Sequence, residues 1–135
     1  MKDTLCTGVT RTVRVEIDRE RTIDFMGEDC RVYATPALVR DIESTARDLI
    51  GEHLEPGEDT VGTRVELDHL APTLMNMWVE VTATVSAVEG RAVQLEISAR
   101  DAVEQVARGT HARFIVDVAR TAERLKKKAD KAAAA

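Results

Sequence analysis

Aromatic side chains are scarce in this chain: Phe25, Tyr33, Trp78 and Phe114 are all it has among 135 residues. With so few rings, stacking on exposed nucleic-acid bases is excluded as a main mode of binding. Cysteine is scarcer still. Cys6 and Cys30 stand outside any CxxC or Cys/His spacing, which argues against a disulfide framework or a zinc site and points to a reducing cytoplasm. No run approaches the ~18 consecutive apolar residues of a membrane span, and residues 1–5 lack the apolar stretch of a signal peptide. A Gly-rich phosphate loop, a G-x-S-x-G elbow and an HExxH helix are also missing. Nucleotide hydrolysis, serine-type ester hydrolysis and zinc chemistry are therefore disfavoured.

Basic charge is in deficit, and what there is sits at one end. Arg120, Arg124, Lys126, Lys127, Lys128 and Lys131 against Glu123 and Asp130 give residues 120–135 a charge of +4, so a net −5 overall leaves −9 for the rest. An acidic body excludes duplex DNA and anionic membranes as main partners. The length suits one domain over residues 1–118, followed by a basic C-terminal helix or frayed tail over 119–135.

Residues 35–50 carry the strongest periodic signal. Leu38, Ile42, Ala46 and Leu49 recur at three- and four-residue steps, the apolar stripe of a buried helix. Thr35-Pro36 reads as its start, with Thr as N-cap and Pro at the first helical position. The same helix end offers free N–H groups suited to an oxyanion. Glu43 lies beside the apolar stripe, where a carboxylate is partly desolvated and suited to acid, base or nucleophile work; the bland alternative is an ion pair with Arg40 or Arg47.

Beyond a Pro56-Gly57 turn the period changes from 3.6 to 2. Strands are expected from Val61 to His69, Met77 to Ala87, Val93 to Ala99 and about Val103 to Val118, with a hairpin at Glu89-Gly90 and a bulge or bend near Gly109. Val9 to Ile17 forms a further strand, and residues 19–33 a loop or lid. Consecutive strands with short turns predict an antiparallel sheet covered by the single helix, an α+β fold. One helix cannot dry the whole sheet, and the apolar remainder points to an oligomer.

His69 falls in phase with Val65 and Leu67, either as a satisfied core histidine or as an acid or base near neutral pH. Gly62 relieves packing or lets a ligand approach the backbone. Arg113 shares a face with His111 and can pair with Glu43, anchor an anion or make a plain cross-strand ion pair. Thr35 and Glu43 are eight residues apart on one helix, about 12 Å of rise. A shared site therefore needs Thr35 folded back off the helix end, or Glu43 of a second protomer; the dimer is favoured.

The motifs Tyr33-Ala34-Thr35-Pro36, Thr60-Val61-Gly62-Thr63, His69-Leu70-Ala71-Pro72-Thr73, Val88-Glu89-Gly90-Arg91 and Gly109-Thr110-His111-Ala112-Arg113, with Glu43 between the first two, resemble the fluoroacetyl-CoA thioesterase group of hotdog-fold proteins. The resemblance spans roughly Gly8 to Val118. It implies a sheet wrapped around one long central helix, a homodimer with acyl-CoA sites at its interface, and hydrolysis of a short-chain acyl-CoA. Thr35, Glu43 and His69 match the group's catalytic positions, and Gly62 and Arg113 positions near its substrate. Glu43 is then nucleophile or base for water, Thr35 orients it or the carbonyl, and His69 manages the proton. No metal and no cofactor beyond the coenzyme A of the substrate is implied. A non-catalytic acyl-CoA or small-ligand binding module is the competing expectation. Two stretches depart from the group. Residues 25–32 are acidic with one Phe where the fluoroacetyl-specific enzyme has an aromatic lid, and 73–77 lack the usual glycine turn.

Overall fold

A computed structural model describes all 135 residues. Five antiparallel strands make the main sheet: β1 (Thr10–Glu16), β4 (Glu58–His69), β5 (Trp78–Glu89), β6 (Ala92–Arg100) and β7 (Gln105–Asp117), in the order β1-β5-β6-β7-β4. A short hairpin of β2 (Thr22–Ile23) and β3 (Val32–Tyr33) precedes the helix α1 (Thr35–Gly51), and α2 (Val118–Ala134) closes the chain. No helix is long and apolar enough to cross a membrane.

The stripe on α1 does what its spacing dictates. Leu38, Ile42, Ala46 and Leu49 are all buried, against Val79, Val81, Ala83 and Val85 of β5 and the inward residues of β6. Each of the Leu, Ile and Val side chains among them contributes about 1.5–3 kcal/mol by leaving water. Alternation along β6 is strict, Val93, Leu95, Ile97 and Ala99 facing in and the residues between them facing out. Gly90, at φ +60°, supplies the left-handed backbone that the β5–β6 hairpin needs.

Three local expectations are corrected. First, the last four strands are not a simple meander. The turns after β5 and β6 are hairpins, but β4 pairs with β7 at the sheet edge, so residues 70–77 carry the chain across to β5. Second, no bulge interrupts β7 at Gly109, and that strand ends at Asp117 with Val118 already helical; the bulge lies across on β4, between Gly62 and Arg64. Gly109 has another purpose, since a Cβ there would stand 2.0 Å from the Glu66 carbonyl oxygen. Third, the N-cap of α1 is Ala34 rather than Thr35, and Thr35 is the first helical residue. Its hydroxyl is thereby free for other work.

The bulge changes which residues face the helix. Without it, Val61 would share a face with Val65 and His69; with it, Thr60 and Gly62 turn toward α1 on one side of the irregularity and Leu67 and His69 on the other. Val61 and Val65 remain exposed on this unpaired edge strand, at 44% and 37%.

The segment leading into α1 is tied down by a buried charge cluster that no local spacing announces. Asp41 accepts the Tyr33 hydroxyl and two Arg21 donors at 2.9 and 3.0 Å. Burial and the adjacent Asp41 push the Tyr33 phenol far above its usual range. Tyr33 N–H also donates to the Thr73 carbonyl at 2.8 Å, so the strand leading into the helix and the loop after β4 are held together. Phe25, at the tip of this segment, is 86% exposed.

Candidate active site

Two groups of predicted residues emerge within the protomer, at different points along α1. At the helix start, Thr35 Oγ1 lies 2.8 Å from His69 Nδ1. The Tyr33 ring meets the His69 ring edge-on, with centroids 6.3 Å apart, which limits how the imidazole can turn. Ile23, Val32, Leu70, Ala71 and Pro72 complete a small, mainly apolar cleft around them. His69 Nε2 is buried and has no hydrogen-bond partner in the protomer. Desolvation lowers the His69 pKa and so favours the neutral imidazole. A neutral ring with one nitrogen held by a hydroxyl and the other unengaged is ready to exchange a proton.

Glu43 belongs to the second group. Neither Arg40 nor Arg47 holds it; Arg47 pairs with Asp59 instead. Its Oε2 takes a hydrogen bond from Arg113 Nη1 at 3.2 Å, between a guanidinium only 4% exposed and a carboxylate 46% exposed. Arg113 is anchored from behind by Thr60, Nε donating to Oγ1 at 2.8 Å and Nη2 to the carbonyl at 2.9 Å. Burial pushes the guanidinium pKa down, and the neighbouring Glu43 opposes that shift. Gly62 completes the group. A Cβ at that position would stand 2.5 Å from Glu43 Oε2, so the carboxylate occupies the room a side chain would take.

Thr35 and His69 are thus in contact, as are Glu43, Gly62 and Arg113, but the two groups line separate clefts. Sequence reasoning set His111 on one face with Arg113 without giving it a role, and missed the Tyr33–Asp41–Arg21 cluster behind Thr35. The alternation of β7 put His111 on the covered face with Arg113, and that was the one available signal. No three His, Cys, Asp or Glu side chains gather closely enough to hold a metal ion.

Residues 17–119 match the fluoroacetyl-CoA-specific thioesterase family. The chain belongs to that family. It is 36% identical to the fluoroacetyl-CoA thioesterase of Streptantibioticus cattleyicolor over 85 residues, 63% of this chain and 61% of that protein. Among solved structures, a variant of the fluoroacetyl-CoA-specific thioesterase in complex with fluoroacetate and CoA superposes with a TM-score of 0.78 at 29% identity, covering 85% of this chain and 98% of that one. A thioesterase-superfamily member from Thermus thermophilus superposes at 0.87 and 27% identity, with 96% of each chain covered. Antiparallel sheet and central helix together are the hotdog fold of these thioesterases.

Proposed function

We propose that this protein is an acyl-CoA thioesterase that hydrolyses short-chain acyl-CoA thioesters, and that it works as a homodimer uniting Glu43 of one protomer with Thr35 and His69 of the other. The observation that carries the proposal is the position of the two half-sites on the unpaired edge strand. Gly62, under Glu43, and His69, beside Thr35, lie seven residues apart on β4, whose outer edge has no neighbour. An antiparallel pairing of β4 with its own copy, about a two-fold axis near Val65, sets the Glu43 half-site of each protomer against the partner's Thr35 and His69. It also pairs the open backbone edge of β4, along which Val61 and Val65 are exposed.

In that arrangement Glu43 attacks the thioester carbonyl or takes the proton of an attacking water. The Thr35 hydroxyl can donate to His69 Nδ1 or accept from it, and so serves both tautomers of the ring. When water attacks, the new C–O bond displaces the C–S bond, and the proton taken by Glu43 passes through His69 Nε2 to the departing thiolate. When Glu43 attacks, the C–S bond breaks as an acyl anhydride forms, and the water that then hydrolyses it gives His69 the proton for the thiolate. Carboxylate and imidazole suffice for these transfers without a metal. The apolar lining at Ile23, Val32 and Leu70 suits a small acyl group, and the exposed Phe25 does not line that cleft.

Incubation with acetyl-, fluoroacetyl-, propionyl- and butyryl-CoA, followed by colorimetry of free thiol, tests the assignment. Thiol release on the short chains is expected; binding of acyl-CoA with no thiol release would make the protein a binding module instead. Gly62→Ala gives a sharper check on the geometry. The added methyl meets side chains rather than backbone, most closely the flexible end of Glu43 and then Arg113 Nη1 at 3.3 Å, so the fold tolerates it while the carboxylate is displaced. A kcat lower by about 100-fold with an almost unchanged melting temperature is expected.

A further inference from the structure

His111 is buried, belongs to neither half-site's reacting groups, and its hydrogen bonds determine its protonation state without ambiguity. Nδ1 lies 2.8 Å from the Arg64 carbonyl oxygen, which can only accept. Nε2 lies 3.3 Å from Arg113 Nη1, which can only donate. The ring must therefore carry its proton on Nδ1 and keep a lone pair on Nε2. An imidazolium would lose that lone pair and set a second cation against the guanidinium. Desolvation, the largest influence, also lowers the His111 pKa.

The consequence passes through Arg113. Its Nε and Nη2 are held by Thr60, and Nη1 is shared between Glu43 Oε2 and His111 Nε2. Thr60 fixes one side of the guanidinium plane, and His111 holds the side that faces Glu43. Without an acceptor at that point, Nη1 has a hydrogen left unpaired in a site only 4% exposed, and the plane is free to tilt. Glu43 rests on that plane on one side and on Gly62 on the other, so a tilt moves the carboxylate.

We propose that His111 is a positioning residue of the thioesterase site, holding Glu43 in place through Arg113 as a neutral imidazole with Nε2 as a fixed acceptor. The role presupposes the thioesterase assignment above; the tautomer does not. Nitrogen-15 NMR of the full-length protein labelled in histidine reads the tautomer directly. A pyrrole-type Nδ1 and a pyridine-type Nε2 at neutral pH are expected for His111, and an Nε2–H form or an imidazolium would overturn the proposal. Steady-state kinetics supplies the second arm. His111→Leu removes the acceptor and is expected to lower kcat by about 10- to 100-fold with KM changed less than about threefold. His111→Gln, whose amide oxygen reaches the place of Nε2, is expected to recover most of that loss. Equal losses in both variants would reduce His111 to a packing residue and overturn the proposal, as would full kcat in His111→Leu. An inactive wild type with the expected tautomer would instead overturn the thioesterase assignment.

Discussion

Glu43→Gln is expected to lower kcat for the proposed acyl-CoA hydrolysis by about 10²–10⁴-fold, the range for losing a positioned base or nucleophile. The substitution is chosen for what it keeps. Gln has the shape of Glu, and its amide oxygen can still accept from Arg113 Nη1, which lies 3.2 Å from Glu43 Oε2. Arg113 is almost wholly buried, so Glu43→Ala would leave its Nη1 without an acceptor on the Glu43 side and confound chemistry with folding. With Gln, substrate binding and thermal stability stay near wild type and the loss falls on kcat alone. Steady-state kinetics on the best short-chain substrate, beside a thermal melt, makes the measurement. A variant retaining more than about a tenth of wild-type kcat would remove Glu43 from the chemistry.

If the two half-sites unite across a dimer as proposed, mixing two inactive variants is expected to restore activity. On that proposal every site is broken in Glu43→Gln homodimers and in His69→Ala homodimers. A heterodimer of the two has one site that lacks both the carboxylate and the imidazole, and another in which both are native. Random assortment makes half the dimers mixed, each with one native site in two, so co-refolding equal amounts recovers about a quarter of wild-type activity. A site built within one protomer recovers none. The prediction follows from the separation of the two half-sites. Thr35 and Glu43 lie on one straight helix, and His69 bonds to Thr35 while Glu43 bonds to Arg113. Pairing wild type with a doubly substituted chain is the complementary control. There the trans arrangement spoils both sites of every mixed dimer, leaving about a quarter of the activity rather than half.

The antiparallel α+β architecture, the helix over residues 35–50 with its buried stripe, the β5–β6 hairpin and the candidates Thr35, Glu43, Gly62, His69 and Arg113 were legible in sequence. The elements rest on local rules. A 3.6-residue period selects the face of a helix, a two-residue period selects the face of a strand, and Gly at φ +60° marks a tight turn. Glu43 drew notice for the same reason, as a carboxylate next to an apolar stripe.

Tertiary pairing decided the rest. Which strand lies beside β4 is a choice among distant segments, and no local pattern in residues 58–69 distinguishes β7 from β5. The bulge at Gly62–Arg64 exists only in that pairing, yet it is what turns Gly62 toward Glu43. Thr35 looked like a cap because local rules favour one there; the fold brings His69 within 2.8 Å and gives its hydroxyl another partner. Arg21, Tyr33 and Asp41 meet only because the hairpin ahead of the helix brings residues 21 and 33 to its first turns. The sequence by itself determined which faces are apolar and where chain direction changes, since both follow from neighbouring residues. Only the folded chain decided which polar groups meet, because a hydrogen bond depends on ångström-scale distances between segments far apart along it.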